Sequence, residues 1–143
     1  MKKFLAIICA VGLLMTGCGG NSKAQEVEVM NSVKLSINGQ NFSARLEDNP
    51  SARAFAEKLP LEVDMQELNG NEKYFYLDSD LPSDSERVNQ IHAGDLMLFG
   101  SNCVVIFYKD FSTSYSYTRL GKIEAADLEK VLGAGNIRVK FVR

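Results

Sequence analysis

The sequence predicts a mainly β domain, a closed antiparallel barrel of about eight strands with two short helices. Apolar and polar residues alternate with a period of two through most of residues 33–142, as in strands that bury one face. Tight turns join most of these segments, which favours antiparallel neighbours. Two segments change to a period of about 3.6 residues, which indicates helices. Closure into a barrel would leave no exposed strand edge.

The first two strands are predicted on either side of Asn38-Gly39, because both residues of this turn accept a positive φ. With a two-residue turn, each apolar-face residue of the first strand has a defined partner on the second. The predicted pairs are Ile37–Gln40, Leu35–Phe42 and Val33–Ala44.

The segment DNPSARAFAEKLP predicts the first helix. Its apolar side chains recur at helical spacing and form one stripe, Ala52, Phe55, Ala56 and Leu59. Asn49 suits the N-cap, Pro50 suits the first helical position, and Pro60 prevents continuation. We expect this helix to lie on the sheet.

The later strands are predicted at the segments LEVDMQEL, KYFYL, DLMLFG, CVVIFY, SYTRLGKI and NIRVKFV. CVVIFY is apolar throughout, which predicts that other residues cover both of its faces. The segment EAADLEKVLG predicts a second short helix that stops at Gly133. Between the strands, DSDLPSDSERVNQ is predicted to be a long polar loop, because it shows no regular period.

The first 17 residues have the pattern of a secretory signal. Lys2 and Lys3 precede an apolar run that ends near Met15, and this run is shorter than the roughly 20 residues that span a bilayer. Met15-Thr16-Gly17-Cys18 resembles a bacterial lipoprotein signal, although leucine is commoner where Met15 stands. The resemblance implies that Cys18 is lipidated and becomes the first residue of the mature chain. The alternative is an ordinary secretory peptide that is cleaved nearby.

The predicted organisation is therefore a lipoprotein signal peptide (1–17), a lipidated N-terminus with a flexible tether (18–32) and one folded domain (33–143). Cys103 would be the only thiol of the domain, so no internal disulfide is possible. Its apolar surroundings favour a structural thiol over a nucleophile. Gly19 lacks the acidic character of an inner-membrane retention signal. We therefore expect a lipid-anchored protein of the cell envelope, in the outer membrane if the organism has one.

Charge and composition limit the classes of partner that the mature chain is expected to bind. Removal of residues 1–17 leaves 14 basic and 18 acidic residues. No run of basic residues interleaved with aromatic residues is present, which argues against nucleic acid as a partner. A single histidine without a nearby cysteine makes a metal site unexpected, and no cofactor is expected. The membrane would be contacted through the N-terminal lipid.

Three segments of the domain resemble cyclophilins, and more closely the small bacterial cyclophilin-like domains of unassigned function. These segments are DNPSARAFAEKLP, Gly94-Asp95 and RLGKIEAADLEKVLG. The resemblance implies the cyclophilin barrel. It also raises the possibility of prolyl isomerisation, for which cyclophilins use an arginine, a Phe-Met proline pocket and a glutamine. The corresponding stretch here reads NQIHAGD, in which Asn89 replaces the Phe, Gln90 replaces the Met and His92 replaces the Gln. Arg87 is the nearest upstream arginine.

Four residues are candidates for ligand binding, His92, Tyr115, Tyr117 and Arg119. If the alignment with cyclophilins holds, His92 lies at the edge of the groove; otherwise it is a polar turn residue. Tyr115, Tyr117 and Arg119 alternate along a predicted strand and should share one face. Two aromatic rings and a guanidinium can hold a carboxylate or a peptide, but the same pattern fits an outer barrel face.

We interpret the sequence as a lipid-anchored envelope protein whose barrel binds a peptide or small ligand without catalysis. A divergent prolyl isomerase acting on envelope proteins is the first alternative, and a structural or complex-forming lipoprotein is the second. An isomerase requires an arginine beside a proline-sized apolar slot, whereas a binding module requires a concave aromatic patch. A structural protein can instead present a flat apolar patch.

Overall fold

The computed structural model describes residues 31–143, which contain eleven strands and two helices. The strands are β1 (Ser32–Ile37), β2 (Gln40–Leu46), β3 (Leu61–Leu68), β4 (Glu72–Tyr76), β5 (Glu86–Arg87), β6 (Gln90–Ile91), β7 (Asp95–Phe99), β8 (Cys103–Phe107), β9 (Phe111–Ser112), β10 (Ser116–Glu124) and β11 (Ile137–Val142). The helices are α1 (Pro50–Glu57) and α2 (Leu128–Leu132). Neither helix of this part of the chain is long and apolar enough to span a membrane. The predicted signal peptide, Cys18 and most of the tether lie outside the described residues.

Eight strands form a closed antiparallel barrel, as the sequence predicts. Their order around the barrel is β2-β1-β11-β3-β4-β8-β7-β10, and pairing of β10 with β2 closes it. The seam between β10 and β2 depends on Gly121, because a Cβ there would meet the carbonyl oxygen of Arg45 and lie 3.1 Å from Cα of Leu46. A side chain at this position would force the two closing strands apart.

The first hairpin has the predicted register. β1 and β2 pair Ile37 with Gln40, Leu35 with Phe42 and Val33 with Ala44. The two turn residues have φ values of 50° and 76°, in the left-handed region that the Asn-Gly sequence allows. Val33, Leu35 and Ile37 are buried in the barrel interior, so this face is core.

The first helix is also as predicted. The side chain of Asn49 accepts a hydrogen bond from the backbone N–H of Ala52 at 2.8 Å, and Pro50 occupies the first turn. Phe55 is fully buried and meets the ring of Phe141 edge-on, with 5.6 Å between centroids. The apolar stripe of α1 therefore packs on the barrel core.

The second helix is shorter than predicted. The prediction began it at Glu124, but β10 continues to Glu124, which pairs with Ser43 of β2. Glu124, which the helical period assigned to the helix, therefore belongs to β10 because it pairs with β2 at the barrel seam. The predicted stop is confirmed, since the N–H of Gly133 donates to the carbonyl of Glu129 and Gly133 has a φ of 59°.

A second apolar cluster lies on the outside of β7, β8 and β10. Val105 and Phe107 of β8 belong to it, whereas Val104 and Ile106 face the barrel interior. Val88 covers the outer cluster, although it comes from the segment predicted to be a long polar loop. That segment contains β5 and the start of β6, so part of the prediction for it is wrong. The prediction that other residues cover both faces of CVVIFY is confirmed, since its side chains belong to the inner and the outer apolar clusters.

Candidate functional site

The outer wall of the barrel is built by strand alternation. In β4, Lys73 and Phe75 are buried in the barrel, whereas Glu72, Tyr74 and Tyr76 are directed to the outside. Cross-strand pairing places Tyr76 opposite Cys103, and Cys103 opposite Phe99. Aromatic side chains from three elements therefore meet on one patch of the outer wall.

This patch forms a half-open hollow of about 320 Å³, which we call the aromatic cavity. Five aromatic side chains line it, namely Tyr74, Tyr76, Phe99, Tyr115 and Tyr117. The rings of Phe99 and Tyr115 are 6.1 Å apart at 83°, and those of Tyr74 and Tyr76 are 5.8 Å apart at 78°. Such edge-on pairs are favourable arrangements that hold the rings in place around the cavity.

The aromatic cavity also collects the exposed apolar side chains of the domain. Among the described residues, the large apolar side chains that remain exposed are Leu68, Tyr76, Phe99 and Tyr115, with exposed fractions of 42%, 67%, 46% and 63%. All four line this cavity. Contiguous exposed apolar surface of this kind marks interaction sites more often than scattered apolar residues do.

One charged side chain, that of Glu72, is present in the lining of the aromatic cavity. Burial raises the pKa of Glu72, and the negative charge of Glu67 raises it further. No hydrogen bond to another side chain within residues 31–143 offsets this effect. The Glu72 carboxylate is therefore partly withdrawn from water without an internal partner.

The thiol and phenol groups at the cavity floor are held in their neutral forms. Burial raises the pKa of Cys103 to about 11, and the charge of Glu72 contributes. Burial likewise raises the pKa of Tyr117 to about 12. Cys103 is buried and remains a protonated thiol near neutral pH, which agrees with the structural role expected from its apolar strand.

The predicted tyrosine-arginine set is only partly brought together. Tyr115 precedes β10 by one residue, but it lines the aromatic cavity together with Tyr117. Arg119 lies farther along β10 and lines a different hollow of about 300 Å³. Its Nε donates to Oε1 of Glu86 at 2.9 Å, so one N–H of the guanidinium already has a carboxylate partner in this chain.

The hollow at Arg119 is polar and borders the N-terminus of α1. Its walls include Asn49, Ser51 and Asp84. The side-chain amide of Asn49 donates to the carbonyl oxygen of Arg119 at 2.8 Å, which ties α1 to β10. Arg119 and its neighbours therefore join α1, β5 and β10.

His92 lies in the turn before β7 and lines neither of these two hollows. Its side chain is 61% exposed, and Nδ1 is 4.0 Å from Oδ2 of Asp95. The backbone N–H of His92 donates to the same carboxylate oxygen at 2.8 Å. Asp95 also accepts a bond from Lys122 at 3.2 Å, so its carboxylate organises the turn. Within residues 31–143, no three His, Cys, Asp or Glu side chains form a group suited to a metal ion.

Sequence reasoning missed Glu72, Tyr74, Tyr76 and Phe99 as cavity residues. A signal was present, because the segment EKYFY places Glu72 and two tyrosines on the face opposite Phe75. Alternation shows which residues share a face, but it does not show which face is the barrel interior. The missing information was the cross-strand register that brings Phe99 and Tyr115 beside β4.

Comparison with a family model agrees with this architecture. A family model described as "Cyclophilin-like family" matches residues 35–142. Among solved structures, the chain is similar to the solution structure of a hypothetical protein from Archaeoglobus fulgidus. The two are 17% identical with a TM-score of 0.49, and the match covers 78% of this chain and 93% of that chain. No curated protein matches the sequence.

Proposed function

This chain belongs to the cyclophilin-like family, and we propose that its barrel is a binding module that holds a small ligand or peptide in the aromatic cavity without catalysis. We further propose that the module acts in the cell envelope, where a lipid on Cys18 anchors it. The family match confirms the resemblance of the domain to cyclophilin-like proteins. The binding function and the lipid anchor are proposals.

One observation carries the binding proposal. All of the large apolar side chains that are exposed within residues 31–143 surround the aromatic cavity. Exposed apolar surface costs free energy of roughly 25 cal/mol per Å² relative to its burial, and a ligand in the cavity would recover part of that cost. The rings are also held by contacts with one another, which reduces the entropy that binding would cost.

The concave shape of the patch favours a ligand over a structural partner. A cavity of about 320 Å³ is near the lower end of small-molecule sites, which occupy roughly 300–1,000 Å³. A flat apolar wall would instead favour a role in complex formation. We therefore rank ligand binding above the structural alternative.

The position of Arg119 supports binding without prolyl isomerisation. An isomerase of the cyclophilin type needs a guanidinium that can donate to the prolyl nitrogen beside an apolar slot. Arg119 is instead paired with Glu86 at 2.9 Å and lines the polar hollow. Among the described residues, the side chains that line the aromatic cavity include no arginine.

A ligand screen by thermal shift tests the binding proposal. A ligand at about ten times its Kd adds about 1.4 kcal/mol of stability, which raises the Tm of a domain of this size by roughly 5 °C. We expect Tyr115→Ala to abolish the shift in Tm and Arg119→Ala to preserve it, because Tyr115 lines the aromatic cavity whereas Arg119 lines the polar hollow. A shift that depends on Arg119 and not on Tyr115 would contradict the proposed site.

An isomerase assay on Ala-Xaa-Pro peptides, run on the parent protein and on the variants Arg119→Ala and His92→Ala, tests the absence of catalysis. We expect no acceleration of the cis-trans exchange by any of them. Acceleration that Arg119→Ala or His92→Ala abolishes would replace the binding proposal with the isomerase alternative.

Metabolic labelling with a radioactive fatty acid tests the anchor. We expect label in the full-length chain expressed in a bacterial host, and loss of label with Cys18→Ser. Cys9→Ser is the matched control, because Cys9 lies within the predicted signal peptide and should not affect labelling. Label that survives Cys18→Ser would contradict the proposed attachment point.

A further inference from the structure

We infer that the ligand of the aromatic cavity is a small organic cation that carries an alkylated ammonium group, held by ring faces and by the carboxylate of Glu72. This inference rests on the proposed binding function and specifies the chemistry of its ligand.

The charge of the cavity favours a cation. Glu72 supplies the charged group of the lining, and the residues described there include no lysine, arginine or histidine. An anionic ligand would meet an uncompensated carboxylate at this site and would find no positive side chain to offset the repulsion. A cation would instead give Glu72 the partner that it lacks within the described chain.

Glu67, the neighbouring glutamate, is not available to pair with a cationic ligand. Glu67 also lies near the end of the β3–β4 hairpin, but its two carboxylate oxygens accept hydrogen bonds from Lys73 and Tyr108. Its negative charge is thus matched inside the barrel. Glu72 is the acid of this pair whose charge remains for a ligand.

The aromatic content of the cavity points to the same chemistry. The five lining rings each present negative π density on their faces, which attracts a cation. Rings of the Tyr74–Tyr76 and Phe99–Tyr115 pairs stand nearly at right angles, so the walls have more than one orientation. Walls of this kind are suited to a roughly spherical cationic group.

The apolar lining favours an alkylated ammonium over a bare one. A bare ammonium needs several hydrogen-bond acceptors when it leaves water. Glu72, Asn69 and the tyrosine hydroxyls can accept, but the rest of the lining, which includes Leu68, Val105 and the protonated thiol of Cys103, provides little of this. Methyl groups on the nitrogen spread the charge and make apolar contacts with the same walls. A cavity of about 320 Å³ accommodates a free small molecule of this type.

Choline and its carbon isostere 3,3-dimethylbutan-1-ol provide a matched test. The two molecules have the same shape, but a quaternary carbon replaces the charged nitrogen in the alcohol. We expect NMR titration of the labelled protein, at matched ionic strength, to show choline binding at least about tenfold more tightly than the alcohol. Equal binding, or tighter binding of the alcohol, would overturn the inference.

Glu72→Gln tests the role of the carboxylate, with Glu57→Gln as its control. Glu57 is an exposed acid on α1 that does not line the aromatic cavity. We expect Glu72→Gln to reduce the preference for choline by about three- to tenfold while leaving the affinity for the alcohol unchanged, and Glu57→Gln to change neither. Full retention of the preference in Glu72→Gln would overturn the assignment of Glu72.

A third measurement separates this inference from the proposed function. The thermal-shift screen of neutral and anionic compounds is run on the same protein, with Tyr115→Ala as the site control. If a neutral or anionic compound raises the Tm, Tyr115→Ala abolishes that rise, and choline does not bind, the cation inference is overturned and the binding function stands. Failure of every class of compound would overturn both.

Discussion

Lys73 and Glu72 are consecutive residues of β4, and the barrel accommodates their charges in opposite ways. The side chain of Lys73 is fully buried inside the barrel. Its Nζ donates to Glu67 and to the carbonyl oxygens of Gly133 and Gly135, at 2.8 and 2.6 Å for the two carbonyls. It also lies 5.3 Å from the ring centroid of Tyr108. Every hydrogen of this ammonium thus has a partner in the chain.

Glu72 is on the outer wall, and its carboxylate has no comparable set of partners among the described residues. The exposed aromatic side chains gather around it. Complete internal bonding ties the charge of Lys73 to the fold, whereas Glu72 is the charged group that the proposed ligand would contact. Variants on the two sides of β4 should therefore separate stability from binding.

Lys73→Met should have the largest effect, because it removes the cation and leaves the carbonyls at Gly133 and Gly135 and the carboxylate of Glu67 without their donor. We expect the free energy of unfolding to fall by about 3 kcal/mol, the lower end of the cost of breaking a buried pair, since Glu67 is partly exposed. Urea denaturation measures the change. Lys34→Met, at an exposed position of β1, is the control and should change stability by less than about 0.5 kcal/mol. Equal stability of the two variants would refute the structural role of Lys73.

Tyr108→Phe and Tyr76→Phe compare a phenol inside the barrel with one on the outer wall. The hydroxyl of Tyr108 donates to Oε1 of Glu67, whereas Tyr76 is 67% exposed. Loss of a hydrogen bond to a charged acceptor costs about 1.5 kcal/mol. We expect that decrease for Tyr108→Phe and no measurable decrease for Tyr76→Phe in the same denaturation experiment. The reverse order would show that the Glu67 network does not stabilise the fold.

The pH dependence of stability should have opposite signs at the two glutamates. Burial alone would raise the pKa of Glu67, but hydrogen bonds from Lys73 and Tyr108 outweigh it, and the pKa lies below the ordinary value. The unfolded state then binds more protons, so Glu67 contributes stability above the ordinary glutamate pKa of about 4.3 that is lost as the pH falls below it. Glu72 has a raised pKa, so its contribution to stability decreases as the pH rises above that same value.

The smallest predicted effect follows from these signs. Between pH 4 and pH 7, Glu72→Gln should gain stability relative to the parent protein, and Glu67→Gln should lose it, with the Glu72 effect below about 1 kcal/mol. Denaturation midpoints at several pH values measure both trends. Parallel pH profiles of the two variants would contradict the difference between the inner and outer sites.

Much of the fold could be predicted because it depends on local patterns. The Asn38-Gly39 turn set the register of the first hairpin, and the cap at Asn49 with Pro50 located α1. The buried Lys73 could not be predicted, since its carbonyl partners at Gly133 and Gly135 are about 60 residues away in the chain. Long-range polar bonding of this kind leaves no periodic signal.

The candidate site could be predicted only in part for a related reason. Alternation indicated that Tyr117 and Arg119 share a face, and both are on the outer wall of β10. The sequence did not reveal that β5 would supply Glu86 to pair with Arg119, because β5 has two residues and no periodic pattern. That contact separates the arginine from the tyrosines.

The most direct test of the account is a ¹H–¹⁵N NMR titration of the labelled protein with choline and with any compound that raises its Tm. We predict that the backbone amides of Glu72, Tyr74, Tyr76, Phe99 and residues 115–117 change their shifts, while those of Glu86, Gly133 and Gly135 remain unchanged. Shift changes concentrated around Glu86 and Arg119, or at Gly133 and Gly135 beside the buried ammonium of Lys73, would contradict the assignment of the aromatic cavity as the binding site.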